Sequence, residues 1–252
     1  MPAGYAHYRF GKHAMKTMPP EARQCVQRFR RMFDVGLQGP DIFFYYNPYW
    51  TTPVGKLGNL FHAMTGTDFF SSVCRAADSE AARAYLFGLL GHYCLDSICH
   101  GFVNQLDRAG EAEHVTLESE FDRFLLVLEG EPHPECYDLS GKIRLTRGEC
   151  MCVSAFYPGA SGRAVSRCVK GMARSIRFLA KPSREKLLRK LGFSFADHMI
   201  PAKDNEDHAL YLRELKNLCG EALEKYPRML ERLLAHMENG TELGPDFEPK
   251  FD

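Results

Sequence analysis

Apolar residues lie nearly all round the stretch 81–103, where Ala81, Ala82, Ala84, Leu86, Phe87, Leu89 and Leu90 lead in and Phe102 and Val103 follow. That pattern predicts a helix buried on every side rather than one lying on a surface. Ser79 is suited to cap it, and Gly110 separates it from the next element. Three polar residues interrupt the run at i, i+4 and i+8: His92, Asp96 and His100. Each four-residue step on a helix drifts only about 40°, so the three side chains share one stripe. A second helix, predicted over 114–128, repeats the spacing with His114, Glu118 and Asp122. Its core face is Leu117, Phe121, Phe124, Leu125 and Leu128.

The flanking chain is also helical in pattern. A helix is predicted over 19–33, beginning at Pro20 because proline suits a first turn. Gly36 and Gly39-Pro40 break the chain, and Ile42 to Tyr46 reads as an extended or short helical segment packed into the core. A loop over 47–58 holds Trp50, and an apolar pattern resumes over 59–70 with His62 inside it. The stretch 130–159 is irregular, with a helix starting near Leu145; further helices are predicted over 165–179, 183–191 and 208–237. Residues 241–252 are polar, contain Pro245 and Pro249, and predict a loose tail. With no confident strand, no repeat and no evident boundary, the expectation is all-α: a single multi-helix bundle domain over residues 1–252.

Composition narrows the function classes. Lys+Arg and Asp+Glu both number 32, so net charge gives no reason to expect nucleic acid or an anionic membrane as a partner. No apolar run approaches transmembrane length. The first residues lack the apolar core of an export signal, so a cytoplasmic location is expected. Nine cysteines, an odd number scattered from Cys25 to Cys219, predict reduced thiols. Cys150 and Cys152 lack a second pair at zinc-finger spacing.

The polar residues set into apolar segments carry the candidate chemistry. In order they are His7, Asp41, His62, His92, Asp96, His100, His114 and Glu118. Imidazole and carboxylate are the ligand types of hydrolytic zinc sites. Buried in an apolar helix, such groups need partners, which either ordinary hydrogen bonds or a metal cluster can supply. Asp96, between two stripe histidines, is placed to bridge two ions through its two oxygens.

The order and setting of these residues resemble the zinc-dependent phospholipase C family, whose fold is shared with single-strand-specific zinc nucleases. The matching features are His7, Gly39-Pro40-Asp41-Ile42, Gly58-Asn59-Leu60-Phe61-His62, the run from Gly91 to His100, and His114-Val115-Thr116-Leu117-Glu118, together about the first half of the chain. The resemblance implies an all-helical bundle with up to three zinc ions between its helices: two expected and a third possible. Asp41, His62, His92 and Asp96 would hold one ion. His100, His114 and Glu118 would hold a second, and His7 with Asp96 would help hold a third. Asp41 would also be the catalytic base that orients a metal-bound water for in-line attack on phosphorus. The implied activity is phosphoric ester hydrolysis, with a phospholipid or other phosphate ester as substrate. A nuclease-like phosphodiesterase and a non-catalytic scaffold retaining the fold are the alternatives.

Three departures from the secreted enzymes stand out. They have a longer gap between the equivalents of Asp96 and His100. They use an amino-terminal tryptophan as a ligand, for which Pro2, exposed by loss of Met1, would be the only substitute here; the third site is therefore expected to be weak or empty. They also place an aromatic residue, which helps bind choline, where Ile42 stands here. Asp122 is expected to be a supporting or surface carboxylate.

Overall fold

The apolar stretch forms one 30-residue helix, Glu80–Ala109, around which the other elements pack. At 1.5 Å per residue it is about 45 Å long. The Ser79 hydroxyl accepts the Ala82 N–H at 3.2 Å, and Gly110, at φ 71°, ends the helix. Every residue from Ala84 to Asp96 is buried, as an all-round apolar pattern requires. The structure, a computed structural model, describes residues 4–47, 50–190 and 194–251.

Among the described residues there are eleven α-helices and no β-strand. In chain order they are α1 (Gly4–Thr17), α2 (Pro20–Arg28), α3 (Arg30–Gly36), α4 (Lys56–His62), α5 (Gly66–Val73) and α6 (Glu80–Ala109). The remainder are α7 (His114–Leu128), α8 (Arg147–Ser154), α9 (Gly162–Leu179), α10 (Glu185–Lys190) and α11 (Ala209–Asn239). The all-α expectation holds.

Helix α6 packs most extensively against α3 and α11, and α1, α2, α7 and α8 also lie against it. The α3–α6 crossing is backbone against backbone. A Cβ on Gly88 would sit 2.3 Å from the Phe33 carbonyl oxygen, and one on Gly36 would sit 2.3 Å from that of Tyr85. No side chain fits there, and the close crossing carries the segment after Gly36 directly to the middle of α6. Buried tyrosine hydroxyls in this core are paired. The Tyr85 and Tyr157 hydroxyls share a 2.7 Å hydrogen bond, and Tyr226 donates to the Phe87 carbonyl at 3.0 Å.

Several elements differ from the pattern. Residues 4–17, outside every predicted element, form α1. The helix expected over 19–33 breaks at Phe29, whose φ −112° and ψ 44° leave the helical region; the new direction of α3 buries Met32 and Phe33 completely. Gly39–Tyr45 is a 3₁₀ turn, and the apolar segment 59–70 is divided between α4 and α5 at Thr65, whose side chain caps α5. The helix placed near Leu145 starts at Arg147 behind a Thr146–Glu149 capping box.

The carboxy-terminal segment is a correction. Expected to be loose, it is docked: Leu243, Phe247 and Phe251 are buried. The Pro249 carbonyl accepts hydrogen bonds from the Gly66 N–H at 3.0 Å and the Tyr93 hydroxyl at 2.9 Å. The polar residues of this stretch face outward, whereas its two phenylalanines insert beside Phe70 and Tyr93, so average polarity misjudged it.

Candidate metal centre

The eight residues converge from five elements. His7 comes from α1, Asp41 from the Gly39–Tyr45 turn, His62 from the last residue of α4, His92, Asp96 and His100 from α6, and His114 and Glu118 from α7. All except His114 are buried; its side chain, 21 % exposed, marks where the cluster meets solvent.

Asp96 sits at the centre. Its Oδ1 lies 3.2 Å from His7 Nε2 and 3.4 Å from His100 Nε2. Its Oδ2 lies 3.0 Å from His92 Nε2 and 3.9 Å from His62 Nε2. Asp41 is held against two of the same rings, with Oδ1 3.1 Å from His62 Nε2 and Oδ2 3.8 Å from His92 Nδ1. Glu118 Oε1 lies 3.5 Å from His100 Nε2 and 3.1 Å from His114 Nε2.

Ordinary hydrogen bonds do not satisfy all of these atoms. Both Asp41 carboxylate oxygens, both His92 ring nitrogens, His62 Nε2 and Asp96 Oδ2 are buried without a hydrogen-bond partner. Polar atoms buried in that state are costly and rare unless an ion completes them. His62 makes the point most directly. Its Nδ1 lies 2.8 Å from the Gly58 carbonyl, which can only accept, so Nδ1 carries the proton. In a neutral ring Nε2 is then a bare lone pair facing the Asp41 carboxylate. Two acceptors face to face fit a cation between them, and fixing one ring nitrogen by a backbone carbonyl is how ligand histidines are oriented. His114 is similarly held, with Nδ1 3.1 Å from Asn104 Oδ1.

Three donor groups have ligand atoms within 4.8 Å of one another: His62 with His92 and Asp96; His100 with His114 and Glu118; and His7 with Asp41 and His92. The first two fall inside the sets expected from the sequence. The third adds Asp41 and His92 to His7, which was expected to pair with Asp96 alone. Pro2, the suggested terminal-amine substitute, lies outside the described residues.

Electrostatics follows the geometry. Burial by itself would raise the Asp96 carboxyl, yet the His92, His100 and His7 rings hold it well below the usual carboxylate range. Burial would lower His7 and His62, but Asp96 raises the first and Asp41 the second. The site is a concentration of negative carboxylate and imidazole donors that attracts positive charge, as either protons or metal.

Local sequence explains how the distant members arrive. Gly39 has φ +49°, and a Cβ there would sit 2.3 Å from the His92 ring, so only glycine lets the turn lay Asp41 over that ring. Ile42, next to Asp41, is completely buried, and Phe43 packs against Phe61 and Tyr157. Ile42 and Phe43 are therefore core, while Phe44, Tyr45 and Tyr46 are half-buried. Of two further contributors, Asp122 was expected as a supporting or surface carboxylate, and Phe251 was not identified from sequence. Asp122, third on the α7 stripe, is buried and binds the backbone of α1. Phe251 lies 6.0 Å, centroid to centroid, from both His62 and His92, closing the apolar side of the cluster. The i+8 spacing was a signal for Asp122; nothing local marked Phe251.

A family model described as zinc-dependent phospholipase C matches residues 6–151, a span that includes all eight residues of the cluster. No curated protein and no solved structure gave a match.

Proposed function

Because the chain belongs to the zinc-dependent phospholipase C family, we propose that it hydrolyses phosphoric esters at a zinc cluster held by the eight convergent residues. Asp41, His62, His92 and Asp96 would hold one ion, and His100, His114 and Glu118 a second. His7 and Asp96 would help hold a third. Zinc in such a site supplies Lewis acidity, water activated near neutral pH, and positive charge for the phosphoryl oxygens.

The observation that carries this reading is the environment of Asp96. Each of its oxygens faces two imidazoles from different directions, the arrangement a bridging carboxylate needs. Asp41 has the role of base: its carboxylate oxygens are buried without hydrogen-bond partners and can take the proton of an attacking water. Phe251 and Phe44 pack against His62 and keep bulk water from that side, which strengthens every charge interaction inside. His114 stands at the exposed end, where an ester would enter. No covalent nucleophile is required.

Phospholipid is the substrate class that family membership favours, ahead of nucleic acid and soluble phosphate esters. The test is a panel of phospholipids, small phosphodiesters, a phosphomonoester and single-stranded DNA, run with the protein as purified and after chelation. Hydrolysis of phospholipid that chelation abolishes and zinc restores is the expected result. Preferential cleavage of DNA would move the assignment to a nuclease. No turnover by zinc-loaded protein would leave the scaffold alternative standing.

A further inference from the structure

Helix α9 carries Arg163, Arg167, Lys170, Arg174 and Arg177 and no acidic residue. Their spacings alternate four and three, so all five lie within an arc of about 80° on the helix. All five are exposed, while Ala164, Val165, Cys168, Val169 and Met172 face the core. The equality of charges over the whole chain conceals this concentration, because the acidic residues lie elsewhere.

The stripe also borders a recess. Between α9 and the segment running from Ser140 to Cys150 lies a groove of about 380 Å³, lined by Arg144, Lys170, Arg174 and Arg177 together with the hydroxyl residues Ser140 and Ser166. Arg177 donates to Ser140 Oγ at 3.2 Å and lies 3.6 Å from Asp138. Arg144, Lys170 and Arg174 have no carboxylate partner among the described residues. At the two ends of the helix apolar side chains stand in solvent. Met151, against Gly162, is 62 % exposed, and Phe178, beneath the Arg184 guanidinium, is 39 % exposed.

We propose that the α9 stripe and its groove form a docking surface for a bilayer containing anionic phospholipid, with a lipid phosphate seated among Arg144, Lys170 and Arg174. A cluster of Lys and Arg presented on one helix face is attracted to the negative surface of an anionic bilayer, here with the apolar face of the helix held in the protein core. A bilayer is favoured over nucleic acid because the exposed apolar side chains of Met151 and Phe178 beside the stripe can enter a lipid interface, and a phosphate backbone would leave them in water. The surface is also joined to the candidate centre. The Arg167 guanidinium lies 4.7 Å from the centroid of the Tyr46 ring, and Gly171 packs on the Tyr45 carbonyl, at the end of the turn that bears Asp41. The choice of lipid rests on the proposed function; the existence of an anion-binding surface does not.

Vesicle co-sedimentation of the full chain as purified tests this, with turnover scored separately on a water-soluble phosphate ester. Vesicles of phosphatidylcholine with about one third phosphatidylserine should sediment the protein, pure phosphatidylcholine should not, and salt raised from about 0.1 to 0.5 M should release it. The double variant Lys170→Glu/Arg174→Glu should bind about tenfold or more weakly while hydrolysing the soluble ester normally. Arg108→Glu/Lys216→Glu, a charge reversal away from α9, should bind like the wild type. Equal sedimentation with both vesicle types, or unchanged binding by the α9 variant, would overturn the proposal. Displacement by millimolar inorganic phosphate would assign the groove to a free anion instead of a bilayer. Tighter binding to single-stranded DNA than to vesicles would assign the face to nucleic acid.

Discussion

The carboxylate of Asp122 accepts the backbone N–H of Ala6 at 2.8 Å, and its second oxygen accepts that of Tyr5 at 3.1 Å. A residue of α7 thus satisfies the first turn of α1, one position before His7. Helix starts leave such N–H groups without partners, and these two are buried. Asp122→Ala should cost about 1–3 kcal/mol in denaturant unfolding because both donors lose their acceptor. Asp122→Asn, which retains one carbonyl acceptor, should lose less. If His7 helps to hold an ion, zinc content of the alanine variant should also fall, while an unchanged content would show that α1 stays in place without the clamp.

Elemental analysis should find about two or more zinc per chain. Asp96→Asn should lower that number more than any substitution at Asp122, since Asp96 lies against four imidazoles and the Asp122 oxygens accept the backbone N–H groups of Tyr5 and Ala6. Chelation should lower the melting temperature by roughly 5–15 °C, as expected when ions bound only by the folded state are removed. An Asp96→Asn protein with full metal content would contradict the bridging role.

Asp41→Asn should reduce turnover about 10²- to 10⁴-fold, the usual contribution of a positioned base. The His62–His92–Asp96 and His100–His114–Glu118 groups each keep their histidine and carboxylate ligands, so most metal should stay bound. Steady-state rates paired with metal analysis separate the two effects, and loss of metal in proportion to activity would assign Asp41 to ligation alone.

Phe251→Ala should destabilise the chain by about 3 kcal/mol, because the ring is fully buried among Phe69, Phe70, Tyr93 and two cluster histidines. Phe178→Ala, at an exposed ring, should lie within about 0.5 kcal/mol of wild type. Urea midpoints compare the two, and equal effects would mean that the docked tail contributes little.

Glu129 offers a pH test of the other anchor on α1. It accepts hydrogen bonds from the Tyr5 hydroxyl at 2.8 Å, Arg9 Nε at 2.8 Å and Lys12 Nζ at 3.1 Å. Partial burial pushes its carboxyl up, but Tyr5, Lys12 and Arg9 hold it down to about 2 from an ordinary 4.5. A depressed carboxyl stabilises the fold above its unfolded value and loses that contribution as pH falls through its folded value. The melting-temperature gap between wild type and Glu129→Gln should therefore be full above pH 4.5 and close toward pH 2. At neutral pH it should correspond to about 1 kcal/mol or less. A gap independent of pH would mean that packing, not charge, sets it.

What the sequence by itself determined was local and ordered. An all-round apolar run capped by Ser79 could only be a buried helix, and i, i+4 spacing on α6 and α7 placed His92, Asp96, His100, His114 and Glu118 on two stripes without knowledge of the rest. The order of His7, Asp41 and His62 around those stripes was legible as a family resemblance, but their arrival at Asp96 was not derivable from spacing. Tertiary structure decided it, through a glycine-only crossing of α3 over α6, a Gly39 turn against His92, and an α1 held by Asp122 and Glu129. Such contacts join residues far apart in the chain, 116 and 120 positions for the two anchors of α1, and no local periodicity encodes them. The same holds for Phe251, whose polar neighbours disguised a buried ring. Net charge failed for a related reason: a sum discards position, whereas the spacing of the five cations puts them on one side of α9 and its packing against the core leaves that side exposed.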